Sequence, residues 1–244
     1  MSSIAFAPVN YFAIFWWPVL IVAIGSYLLG SINSAVIISR LMGKGDIRTM
    51  GSGNAGTTNV LRSVGKGAAA LTFAFDALKC VAAVVPTRIW FTAICNANLI
   101  NPLIANYGIY IAGFFCMLGH IFPLYFKFKG GKGVVTLAAT IALLDWRVFL
   151  VCFAIFAIIF FTTRMMSFCS VLGAIAYPII TFIMIFFADF KMGIWPTGVT
   201  FGYVISMTVI SAVLSAVVIV KHRGNIQRIL NGTERKVSFH KEKE

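Results

Sequence analysis

The chain has 244 residues, 60% of them hydrophobic and only 11% charged, with a formal net charge of +13. With a mean hydropathy of +0.93, this composition excludes a soluble globular domain and a disordered chain and identifies an integral membrane protein. The positive balance does not read as nucleic-acid binding, because the basic loops are short and carry no interleaved aromatic residues.

In chain order, the first apolar block runs over Tyr11–Leu41. It is preceded by an extension over residues 1–10. No Lys or Arg occurs before Arg40, so the N-terminus lacks the cationic start of a signal peptide and is expected to be a retained first span. Further blocks follow at Ala68–Cys95, Tyr107–Phe126, Val134–Leu144, Val148–Thr163, Phe168–Ala188 and Thr197–Val220. A helix needs roughly 20 apolar residues to cross a bilayer, so the fourth block is too short to cross unaided. If it joined the fifth block there would be six spans, whereas a break at Leu144-Asp145-Trp146-Arg147 gives seven. The charges decide. Cations cluster between Arg40 and Lys66, at Lys127, Lys129 and Lys132, and in the basic tail 221–244. Seven spans put all three clusters on one side, which the positive-inside rule makes cytoplasmic. The expected fold is therefore an all-α integral membrane protein, a single domain over 1–244 with seven transmembrane helices and glycine-rich cytoplasmic loops. Its N-terminus lies outside and its C-terminus inside. Much of the net charge then faces one leaflet and attracts anionic lipid headgroups, so membrane lipids are partners.

The loop "GSGNAGTTNVLRSVGKG" (Gly51–Gly67) contrasts with its apolar surroundings. Its GxGxxG pattern lacks the βαβ setting of a dinucleotide site, and Gly65-Lys66 is followed by Gly67 where a P-loop needs Ser or Thr. Gly51, Gly53, Asn54 and Gly56 tolerate the positive φ of an anion-binding nest. Ser52, Thr57, Thr58 and Asn59 add donors, and Arg62 offers a planar fork to phosphate oxygens. The competing reading is a flexible solvated turn. A second loop, "FKFKGGKGVVT", sets Lys129, Gly130, Gly131, Lys132 and Gly133 before a helix whose positive end would face the same place, or else forms a basic membrane-edge turn. In the tail, His222, Asn225 and Arg228 recur along one face of an expected helical extension, either as a site or as a snorkelling basic collar.

His120, inside the third span, reads as a buried, satisfied histidine ahead of a catalytic one. Asp76 and Lys79 lie three apart in the second span, where an ion pair offsets the burial of either charge; this pair is expected to be structural. The remaining carboxylates are scattered and the five cysteines stand singly in apolar runs, so no metal site is expected. Three loops on one face thus offer anion-binding groups, and the expected substrates are a phosphate compound and a lipid or acyl chain.

Three segments, "DIRTMGSGNAGTTNVLRSVGKG", "GHIFPLYFKFKGGKGVVT" and "HRGNIQRILNGTER", resemble in order and spacing the bacterial acyl-phosphate-dependent glycerol-3-phosphate acyltransferases of the PlsY type. The resemblance covers about Ile24 to Lys236. It implies transfer of an acyl group from acyl phosphate to the 1-hydroxyl of glycerol 3-phosphate, in the bacterial cytoplasmic membrane and without cofactor or metal. An enzyme that forms the acyl phosphate upstream would be a further partner. The resemblance also implies that Ser52, Arg62, His222 and Asn225 are required for activity and that the second loop with Lys132 binds phosphate. Glu234 would serve integrity, and Ser170 would be a further polar group of the site. Thr57, Val135 and Lys221 depart mildly from the family pattern. The alternative from another class is a phosphate or organic-anion transporter, against which the cations lie at one membrane edge and no inverted repeat is visible.

Overall fold

The computed structural model describes residues 9–194 and 198–237. Most of the N-terminal extension, the last residues of the tail (238–244) and Thr197 of the seventh block lie outside the described residues. The described chain is all-helical. Six of its segments are long and apolar enough to cross a membrane: Tyr11–Leu41, Lys66–Ala97, Pro102–Phe126, Trp146–Thr163, Met166–Lys191 and Phe201–Lys221.

Local chemistry sets the boundaries. The first segment is broken into α1 (Tyr11–Gly30) and α2 (Ser34–Leu41), because the Asn33 side chain accepts the Val36 N–H and caps a new helix. After the short helix α3 (Thr57–Ser63) comes α4 (Lys66–Ala97), whose 32 residues rise about 48 Å at 1.5 Å each. Next come α5 (Ala105–Ile121) and α6 (Val134–Leu144). Asp145 stops α6 and caps α7 (Trp146–Thr163) by accepting the N–H groups of Arg147 and Val148, so the break expected at this acidic residue is present. α8 (Met166–Ile183) continues as a π-helical stretch to Lys191. α9 (Phe201–Lys221) is followed, with His222 at the joint, by α10 (Arg223–Leu230).

The packing is that of a membrane bundle, where small residues let backbones approach. A Cβ on Gly30 would lie 2.1 Å from the Cys116 carbonyl oxygen, and one on Gly119 would lie 2.2 Å from that of Tyr27, so α1 and α5 touch main chain to main chain. At one end of the bundle Arg147 bridges Asp145 and Asp189, which joins the α6–α7 turn to the end of α8. At the other end Lys132, Ser167, Asn225 and Glu234 meet, and Val237 donates to the Arg164 carbonyl. The short α6 therefore runs from the second end to the first and α7 returns, so that with α6 the chain makes seven passes between the two ends. The described residues of all three basic clusters share the second end.

Candidate functional site

At that second end a cavity of about 720 Å³ opens among the three loops. Its lining divides sharply. Polar side chains of the loops and tail form the mouth, while Phe73, Ala77 and Val81 of α4, Leu137 and Ala138 of α6, and Phe153 and Phe156 of α7 form an apolar body reaching Leu143.

The first loop is braced by Asn59. Its side-chain oxygen accepts the Ser52 N–H at 2.9 Å, and its amide donates to the carbonyls of Ile47 and Met50. Gly51 and Gly53 adopt positive φ (57° and 69°), and a Cβ on Gly51 would strike the Asn59 oxygen at 2.3 Å. The loop differs from an open amide nest, because the N–H groups of Ser52, Gly53 and Gly56 are bound within it. What it presents to the cavity is side chains: Ser52, Asn54, Thr58 and Arg62.

In the second loop, too, the glycines serve close packing. The Gly131 N–H donates to the His120 carbonyl, and a Cβ on Gly130 would fall 2.0 Å from that same oxygen. Amides open to a ligand lie one step further on, in the first turn of α6, where no carbonyl precedes them in the helix. Gly133 (φ 82°) caps that turn, and Val134 and Val135 line the cavity. Lys129 is exposed and outside the lining. Arg48, which the motif reading passed over, ties the two loops together by donating to the carbonyls of Phe126 (2.7 Å) and Lys129 (3.4 Å) and to the Asp46 carboxylate. That pairing with Arg48 holds the Asp46 carboxyl well below the usual carboxylate range.

The tail closes the mouth. Lys132 Nζ donates to Asn225 Oδ1 at 2.5 Å, Asn225 Nδ2 donates to Ser167 Oγ and Glu234 Oε1, and Ser167 Oγ donates to Glu234 Oε1 at 2.6 Å. Arg228 Nε donates to Glu234 Oε2 at 2.8 Å. Burial raises the Glu234 carboxyl, but the hydrogen bonds from Ser167, Asn225 and Arg228 outweigh it and keep it ionised at neutral pH. Desolvation, helped by Arg228 and Arg62, brings Lys132 down to about 8. His222 donates from Nδ1 to the Val218 carbonyl at 2.8 Å, which leaves Nε2 with its lone pair. Burial also lowers this imidazole to about 4, so it is neutral at physiological pH.

The structure thus brings Ser52, Asn54, Gly56, Asn59, Arg62, Asp76, Lys132, Gly133, Ser170, His222, Asn225 and Glu234 to one cavity. Ser170 turns its hydroxyl to the Met166 carbonyl of its own helix. The serine that joins the network is Ser167, three residues earlier on the same face, and that helical spacing was the available signal. Asp76 and Lys79 form the expected buried pair at 2.7 Å. Arg62, Lys132, Arg228 and Arg235 face the cavity against the carboxylates Asp76 and Glu234, of which Asp76 already has Lys79. The mouth therefore carries surplus positive charge.

A helical membrane bundle with a cationic, donor-rich mouth on an apolar channel can hold a phosphate-bearing head beside an apolar chain. The profile described as "Glycerol-3-phosphate acyltransferase" matches residues 20–232. Relatives named glycerol-3-phosphate acyltransferase include one from Jannaschia sp. (strain CCS1), 38% identical over 88% of this chain and 91% of its own. Another, from Clostridioides difficile (strain 630), is 38% identical over 91% and 97%. Among solved structures, PlsY (YgiH), an integral membrane glycerol 3-phosphate acyltransferase, in its glycerol 3-phosphate form superposes with a TM-score of 0.69 at 32% identity. That match covers 91% of this chain and 96% of the other. The lysophosphatidic acid form gives a TM-score of 0.66 at 31% identity. The chain belongs to the glycerol-3-phosphate acyltransferase family.

Proposed function

We propose that the protein transfers an acyl group from acyl phosphate to the 1-hydroxyl of glycerol 3-phosphate, releasing lysophosphatidic acid and phosphate, in the bacterial cytoplasmic membrane with the site facing the cytoplasm. The observation that carries this reading is the division of one cavity into a cationic mouth and an apolar body.

Acyl phosphate is already activated, so no covalent enzyme intermediate is needed. The hydroxyl oxygen attacks the acyl carbon, the carbon–oxygen bond to phosphate breaks, and the hydroxyl proton ends on the departing phosphate. The work of the site is to hold two mutually repelling phosphates together, and such proximity is worth roughly 7–11 kcal/mol of barrier. Arg62, Lys132 and the open first turn of α6 supply donors for phosphate oxygens. The bare Nε2 of His222 accepts a hydrogen bond from the attacking hydroxyl and orients it. Glu234 holds Asn225, Ser167 and Arg228 in one arrangement.

The test is to give the purified protein a long-chain acyl phosphate and labelled glycerol 3-phosphate and to score lysophosphatidic acid. Product is expected with acyl phosphate and none with acyl coenzyme A or acyl carrier protein as donor. Product only with a thioester donor would overturn the reading.

A further inference from the structure

His120 was expected to be a satisfied core residue, and on one side of its ring it is. Lys79 Nζ donates hydrogen bonds to the Ile32 carbonyl at 3.1 Å and to His120 Nδ1 at 2.9 Å and forms an ion pair with Asp76 Oδ1 at 2.7 Å. An ammonium has only donors, so Nδ1 must accept and the ring proton must sit on Nε2. A proton on Nδ1, shared with Asp76 Oδ1 at 3.4 Å, would set two donors against each other across the shorter contact to Lys79. The other edge of the ring is different. Nε2–H has no acceptor among the described residues, and although His120 as a whole is only 6% exposed, this nitrogen is not among the fully buried polar atoms that lack a partner, so it keeps surface open to a ligand. That edge lies where the two glycine loops meet, because a Cβ built on Gly131 would fall 2.1 Å from Nε2 and 2.8 Å from the Ala55 carbonyl oxygen. His120 is also part of the cavity lining.

We propose that His120 is a substrate-binding residue of this site: its Nε2–H donates to a phosphate oxygen held in the cavity beside the Gly131 turn, and Lys79 with Asp76 fixes the tautomer that makes it a donor. This rests on the phosphate-substrate reading above and adds to it a neutral, directional donor among the cations. A point charge such as Lys132 attracts a phosphate from any angle, whereas a locked imidazole N–H selects one oxygen position.

The experiment uses the whole protein in nanodiscs with ¹⁵N-labelled histidine, assigned against His120→Gln. The expected spectrum shows His120 protonated at Nε2 and bare at Nδ1, with the Nε2 signal moving when glycerol 3-phosphate or a non-reactive long-chain acyl phosphonate is added. In Lys79→Met the tautomer preference should weaken. In kinetics, His120→Leu should raise KM for one substrate roughly tenfold or more, the worth of a hydrogen bond to a charged group, with kcat nearly unchanged. His120→Gln, whose amide N–H reaches a similar position, should recover most of the loss. The substrate whose KM rises identifies the phosphate that is bound. An Nδ1-protonated His120, or an Nε2 signal unmoved by both ligands, overturns the proposal even where His120→Leu does not fold. Wild-type protein inactive with acyl phosphate would sink the acyltransferase reading instead, and the spectra would still decide His120.

Discussion

The side chains at the mouth differ in what they can lose. Lys132 is charged below about pH 8 and His222 is neutral above about pH 4, so kcat/KM, which reports the free enzyme, should fall as pH rises through the first value and as it drops through the second. Lys132→Arg keeps its charge at all accessible pH. Its pH profile should lose the alkaline limb, and an unchanged limb would detach Lys132 from substrate binding. Ser167 and Ser170 make a second comparison. Ser167 bonds to both Asn225 and Glu234, whereas the Ser170 hydroxyl is tied to Met166. Ser167→Ala should therefore lower kcat/KM roughly fivefold, as expected for about 1 kcal/mol from one neutral hydrogen bond, and Ser170→Ala should stay near wild type in the same assay. Arg62, Lys132, His222 and Asn225 were legible as candidates because cations, glycines and a polar row stand out in an apolar chain. Ser167 was legible only through its spacing of three from Ser170, since one serine in an apolar helix otherwise looks like any other. The bracing role of Asn59 was not legible, because it depends on three backbone groups that only the folded loop brings around it.

Among the elements, α6 is the one whose shortness has chemical meaning. Its 11 residues rise only about 16 Å, and the cavity follows it from Gly133 to Leu143. If the acyl chain lies along this helix, the far end of α6 limits the chain length that fits. Ala142→Phe fills space there. Each methylene left unburied is worth roughly 0.8 kcal/mol, so excluding two of them should shift the ratio of kcat/KM for long against short acyl phosphates about tenfold toward the short ones. An unchanged ratio would place the acyl chain elsewhere. The sequence marked the break after α6 because Asp145 and Arg147 interrupt an apolar run. It did not mark the break between α1 and α2, where the interruption is one asparagine side chain capturing a backbone amide.

For the whole molecule, the seven passes give the two ends opposite characters. In a cysteine-free background, a membrane-impermeant thiol reagent applied to intact cells should label Trp146→Cys and spare Lys44→Cys and Asn231→Cys; external labelling of Asn231→Cys would break the proposed orientation. Which loops share an end was readable from charge alone, whereas the division of the cavity into mouth and body required the folded chain. On the proposed reaction, that division would set the protein at a phase boundary, with one substrate arriving dissolved in water and the other dissolved in the bilayer. The effective concentration of the lipid donor is then its mole fraction in the surrounding amphiphile rather than moles per litre. Diluting a fixed amount of acyl phosphate with added detergent or inert phospholipid should slow turnover in proportion, while the glycerol 3-phosphate concentration for half-maximal rate stays fixed. Control of flux would accordingly lie in the composition of the membrane as well as in the supply of soluble precursor.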